Sequence, residues 1–193
     1  MTASRRTGGT GGWDDLACRI WLPNEARPPR LHLLDLDNLH VGTAPDLEDI
    51  DRIRDLYEPF LGADDLGCVA ANHAPRLVPG ASSIRSFRIR RRWRPFTVRL
   101  AQGADGADLK LIEEARHHLG RHHLDERFGD VVIGSGDRIF SDLAWRFREA
   151  GLLVHVAVRN VAQLAGLLRD ACDGCVWVLE GGGGCLRHPG GSN

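Results

Sequence analysis

The chain is expected to fold as a three-layer α/β/α domain with a mostly parallel central sheet. Three observations lead there. Short apolar runs of strand length alternate with longer runs of helical period, the pattern of a parallel sheet covered by helices on both faces. Glycines close the helical runs at Gly62, Gly120 and Gly151. Hydrophobic residues make up 42% of the 193, enough for one core of this kind.

The elements follow in order. Residues 31 to 37, LHLLDLD, read as the first strand. DLEDIDRIRDLYEPFLG then places Leu47, Ile50, Ile53, Tyr57, Phe60 and Leu61 on one helical face. GCVAAN (67 to 72) is a second strand and FTVRLA (96 to 101) a third. ADLKLIEEARHHLG reads as a helix with Leu109, Ile112, Ala115 and Leu119 inward. DVVIGSG (130 to 136) is a strand, DLAWRFREAG a helix, LLVHVAV (152 to 158) a strand, VAQLAGLLRDA a helix and CVWVLE (175 to 180) the last strand. The domain is therefore set at residues 30 to 180. A Gly-, Arg- and Pro-rich arm is expected over 1 to 29 and a flexible Gly-rich tail over 181 to 193.

Bulk properties exclude some partners. The net charge is −1, so the whole molecule is not a polycation. Lys110 is the only lysine among the 25 basic residues, so nearly every cationic contact is a guanidinium, a group suited to phosphate. Five cysteines fit a reducing cytoplasm better than a disulfide scaffold. No apolar run reaches the ~18 residues of a membrane span, and the N-terminus lacks an apolar signal core. The expectation is a soluble cytoplasmic protein with no membrane partner.

In open parallel sheets, ligands sit beyond the carboxyl ends of the strands. Asp35, Asp37 and Asn38 fall there. Asp108 begins the helix after the third strand, and Asp137 follows the strand VVIG. Three acids at matching positions are expected to converge. Converging carboxylates repel and need a cation, and hard oxygen donors suit Mg²⁺ or Mn²⁺. Such an ion activates water and neutralises a phosphodiester. The bland reading is that each Asp only caps a helix.

These residues carry a resemblance. Asp35-x-x-Asn38 after an apolar strand, then Gly106-Ala-Asp-Leu-Lys-Leu111, then Val132-x-x-Ser-Gly-Asp-x-x-Phe140, then Gly151-x-x-Val-x-Val156, resembles the NYN domain family of the PIN-like nuclease superfamily. The likeness covers about residues 30 to 180. It implies a PIN-like fold and metal-dependent RNA cleavage leaving 5′-phosphate and 3′-hydroxyl ends. It further implies that Asp35, Asp108 and Asp137 ligate the metal, that Asn38 orients the site, and that Ser135 fixes the turn or touches substrate. Glu114 matches another acid in many relatives. Many relatives also carry a second Asp where this chain has Ile139; Asp142 is the candidate substitute.

LLDLDN resembles the haloacid dehalogenase phosphatases as well, with Asp35 as nucleophile, Asp37 as acid, Asp137 and Asp142 in a late metal motif, and Lys110 as the lysine that family requires. Leu39 and His40 depart from that pattern.

Residues 84 to 99 hold seven arginines among Phe87, Trp93 and Phe96. Guanidiniums bind phosphate and aromatics stack on unpaired bases, so RNA contact is expected here. Read as an extended run, Arg88, Arg90, Arg92 and Arg94 share one face; these with Trp93 and Ser135 are the substrate-binding candidates. The alternative is a solvated edge strand. His118 and His122 read as solvated surface, while His40 and His73 follow strand ends near the site. Cys172, Cys175, Cys185 and His188 have zinc-like spacing, but the strand between them sets Cys185 about 20 Å away unless the glycines fold the chain back.

The reading is thus a Mg²⁺- or Mn²⁺-dependent ribonuclease for single-stranded or loop RNA. A catalytically degenerate RNA-binding module and a phosphatase are the alternatives. A homodimer is left open, since sheets of this kind often pair.

Overall fold

A computed structural model of the chain describes residues 28–40, 42–72, 81–103, 105–121, 123–181 and 184–187. Seven strands are found among them: β1 (Arg30–Asp35), β2 (Leu66–Asn72), β3 (Thr97–Ala101), β4 (Asp130–Gly134), β5 (Leu153–Val158), β6 (Cys175–Val178) and β7 (Gly184–Arg187). They form one sheet in the order β3-β2-β1-β4-β5-β6-β7. The first six are parallel, and β7 runs antiparallel to β6. The helices are α1 (Leu36–Leu39), α2 (Leu47–Tyr57), α3 (Ala81–Arg92), α4 (Gly106–Leu119), α5 (Leu124–Arg127), α6 (Ser141–Glu149) and α7 (Gly166–Ala171).

Strand pleating divides the core in two. Leu31 and Leu33 of β1 face one way, against Leu111 and Ala115 of α4 and Phe147 of α6. Leu34 faces the other way, with Ile50, Ile53 and Tyr57 of α2 and Ile89 of α3. Helices therefore cover both faces, and the expected three-layer α/β/α architecture is present. No helix among the described residues is long and apolar enough to cross a membrane.

The strand order locates the crevice. From β1 the chain winds outward through β2 to β3, then α4 carries it back to β4 on the other side of β1. The order reverses between β1 and β4, and their carboxyl ends flank a gap where ligands bind in such sheets.

Five expectations need correction. His118, expected on a solvated surface, is buried against Phe128. β1 ends at Asp35, not residue 37, because the Asp35 carboxylate turns back to cap α1. The arginine run is not extended: Ala81–Arg92 is helical, since arginine is a good helix former and Ile89 and Trp93, four apart, bury together. Arg88 and Arg92 thereby share a face with each other and not with Arg90 and Arg94. In α4 Ile112, Ala115 and Leu119 pack inward as expected, but Leu109 is exposed and Ala107 and Leu111 are buried in its stead. The tail is not wholly irregular, because Gly184–Arg187 pairs antiparallel with β6 as β7, which sets Cys185 opposite Trp177.

Candidate functional site

Asp35 stands at the last residue of β1, and its backbone φ and ψ suit an N-cap. Its Oδ1 accepts the N–H groups of Asp37 at 3.1 Å and Asn38 at 3.2 Å. Its Oδ2 accepts the Ser135 hydroxyl at 3.2 Å. The capping alternative is thus true of Asp35, but it does not exhaust what the residue does. Only 4% of it is exposed. Burial, then the Asp108 charge, push its carboxyl up to about 7, against the pull of Asn38 and Ser135.

Asp108 approaches from the first turn of α4. Its carboxyl is raised by burial and then by the Asp137 charge, with smaller effects from Asp105 and Asp37, and it shares a hydrogen bond with Asp35. Asp108 thus stands between the acid of β1 and the acid of the loop after β4, and feels both. The donor set is oxygen only, which is the chemistry that suits a hard divalent ion. Among the described residues, no three His, Cys, Asp or Glu side chains stand ready in coordinating geometry.

The loop after β4 is clamped tightly. Ser135 is fully buried, and its Oγ also accepts the Asp137 N–H at 3.2 Å. The Asn38 amide oxygen accepts the Gly136 N–H at 3.0 Å. The Gln163 side chain donates to the Asn38 carbonyl at 3.4 Å, and Ala165 N–H to the Gly136 carbonyl at 2.9 Å. Ser135 and Asn38 thus position the loop. A Cβ on Gly136 would lie 2.2 Å from the Gln163 carbonyl oxygen, so only glycine fits. Gly136→Ala is expected to cost about 1–3 kcal/mol in urea unfolding and to displace Asp137.

Other candidates are placed differently. Glu114 lies two turns along α4, about 9 Å from Asp108 at ~1.5 Å per residue. It pairs with Arg99 at 3.3 Å and His118 at 3.6 Å, toward the amino ends of the strands. We expect Glu114→Gln to leave any metal-dependent cleavage within about twofold of wild type, as initial rates would show. Asp142 is exposed on α6 and is not among the charges that act on Asp35 or Asp108. Asp37 and Asp105 take that place. Asp37 leans toward β2, where both its oxygens accept the Asn72 N–H at 3.1 and 2.9 Å. Asp105, in the left-handed region at φ 56°, had no signal beyond the acidic letters of GADGAD.

Trp93 cannot stack on a base. It is 1% exposed, packed on Tyr57 and beneath the Arg54 guanidinium. Arg88 pairs with Asp51, and Arg92 with Asp51 and Asp55. Arg90 and Arg94 are exposed. His40 is buried, and that burial drops its imidazole to about 4. His73 and His122 lie outside the described residues, as does His188 of the zinc candidate. Cys172 donates its S–H to the Val154 carbonyl at 3.2 Å, and burial pushes its thiol up to about 12. A thiol held protonated in this way is a poor metal ligand.

No protein-family model matches the chain, and no curated protein does. Among solved structures, a protein of unknown function from Vibrio parahaemolyticus is similar, with a TM-score of 0.53 and 17% identity. The match covers 84% of this chain and 99% of that one. At this identity the likeness shows the fold alone, a Rossmann-like α/β/α sandwich.

Proposed function

We propose that the protein is a divalent-metal-dependent ribonuclease of the PIN-like, NYN type, acting on single-stranded or loop RNA. One observation supports the reading: Asp108 feels the charge of Asp137 and bonds to Asp35, so it links acids from three chain segments at the point where strand order reverses. Repulsion between half-buried carboxylates costs stability, and such perturbed acids cluster at functional sites, where a cation offsets the repulsion.

Asp35, Asp108 and Asp137 would hold the ion. When bound, Mg²⁺ or Mn²⁺ lowers the pKa of a coordinated water and neutralises charge on the phosphodiester. Ser135 keeps one Asp35 oxygen fixed, and the Asp37 and Asn38 N–H groups fix the other. Asn38 holds the Gly136 backbone, which sets where Asp137 stands.

The phosphatase reading asks for a lysine beside Asp35. Lys110 instead pairs with Glu113 at 2.8 Å on an exposed helix face. The degenerate-site reading has a specific observation behind it: Ile139 is 40% exposed beside Asp137, where many relatives of the resembled family carry an acid.

End-labelled RNA with Mn²⁺ tests the proposal, comparing wild type with Asp137→Asn purified in parallel. Cleavage by wild type alone, stopped by EDTA, is the expected result. Equal cutting by both samples reports contaminating ribonuclease and removes the support. Binding without cutting, with activity gained in Ile139→Asp, selects the degenerate module. Turnover of a small phosphomonoester, lost in Asp35→Asn, selects the phosphatase.

A further inference from the structure

We infer that the outward face of α3, formed by Phe87, Arg90 and Arg91 and continued by Arg94, is a docking surface for single-stranded RNA. The choice of polymer rests on the ribonuclease reading; the surface itself rests on α3.

The helix sequence ASSIRSFRIRRR contains no acid. Its arginines divide by direction. Arg88 and Arg92, four apart, face Asp51 and Asp55 of α2, also four apart, and are neutralised there. Ile89 and Trp93 enter the core. Toward the end of the helix Phe87, Arg90 and Arg91 remain outside, three and four apart on one helical stripe, and Arg94 follows in the turn after it. Phe87 is 65% exposed, the most open of the large apolar residues described. Among the described residues Arg90, Arg91 and Arg94 are exposed and form no ion pair.

An exposed phenylalanine among three unneutralised guanidiniums has a fitting ligand. Guanidiniums bind phosphate oxygens in pairs, and an aromatic ring stacks on a base of any sequence. Duplex RNA hides its base faces, so the ring favours single strands. An acidic protein would use the arginines but not the ring. A membrane surface asks for a broader apolar face than Ile84 and Phe87 present.

The stripe also leads toward the carboxylates. Arg85, Ser86 and Ile89, in the middle of α3, line a small cavity with Asp37 and Asn72. The helix therefore passes the carboxyl edge of the sheet beside Asp37, two residues along the chain from Asp35. A strand lying along α3 is delivered to that edge.

Fluorescence anisotropy of labelled oligo(U) with the full chain in EDTA tests this without cleavage. Combined Arg90→Ala, Arg91→Ala and Arg94→Ala should weaken binding by at least ~30-fold. The slope of log affinity against log salt should fall by about 2, since each phosphate contact on a single strand adds ~0.7. Phe87→Ala should lose about tenfold on oligo(U) and nothing on a blunt RNA duplex. Its melting curve should match wild type, because the ring is outside the core. Arg146→Ala, on α6 in the opposite layer, should bind as wild type does.

Unchanged affinity and slope in the triple variant would overturn the inference. So would a duplex bound as tightly as oligo(U), or binding to anionic vesicles that these variants lose while RNA binding persists. Failure here leaves the Asp137→Asn cleavage comparison intact, and failure of cleavage leaves these affinities intact.

Discussion

Asp35→Asn is expected to lower metal-dependent cleavage by on the order of 10³-fold while leaving the fold in place. The size follows from the several kcal/mol that a metal-bound transition state draws from correct charge and placement. Fold retention follows from the geometry. The amide oxygen of the substituted side chain still accepts the Asp37 and Asn38 N–H groups that start α1. The carboxylate it replaces is buried and repelled by Asp108, so in EDTA at pH 8 the variant should melt no lower than wild type. Rates on labelled RNA and a melting curve from the same preparation decide it. Cleavage within tenfold of wild type would remove Asp35 from the metal site, and a large drop in melting temperature would make its role structural.

The second large effect concerns pH. Asp35 has an ordinary carboxyl value of 3.8 in the unfolded chain, and folding raises it to about 7. Asp108 moves in the same direction. Between these values the folded state keeps a proton that the unfolded state has released. Stability of the metal-free protein should therefore fall as pH rises from about 4 to about 7. Asp65 works the other way, since its bonds to His32 and Arg30 hold it well below the usual range despite burial. Its contribution is lost only in stronger acid, outside this window. A divalent cation competes with the shared proton, so it should stabilise most where the proton is gone. At ~100 times its dissociation constant, Mn²⁺ should add about 2.7 kcal/mol at pH 8, or about 5–10 °C for a chain of this size. At pH 5.5 the shift should largely vanish. An equal shift at both pH values, or in Asp35→Asn, would place the ion elsewhere.

Much of this architecture was legible from residue patterns. Strand-length apolar runs separated by glycine-stopped helices sufficed for the layers, because burial on both faces leaves a sequence little freedom. The placement of Asp35, Asp108 and Asp137 at a strand end and two helix starts was legible for a related reason: such positions fix where a side chain emerges. What failed was phase. Ile89 and Trp93 are four apart, a spacing that fits both strand and helix, so only the length of the run separated the two. Leu109 and Leu111 differ by half a turn, and the true start of α4 at Gly106 decides which is buried. Glu114 was grouped with Asp108 by nearness in sequence, whereas helical rise carries it to the far end of the sheet. Asp51 and Asp55 neutralise half of the expected arginine face, and long-range pairing of that kind leaves no mark on a single segment.

The reversal of strand order has a consequence in time. β1 is flanked on one side by β2, which follows soon after it, and on the other by β4, whose residues lie 100 positions downstream in the paired register. Until β4 has been synthesised, Asp35 has neither Ser135 to hold it nor Asp137 beside it. At ~5–20 residues per second that interval is about 5–20 s. A nascent chain thus emerges from the ribosome, itself an RNA machine, with its carboxylates still apart, and they can come together only once Asp137 has been made.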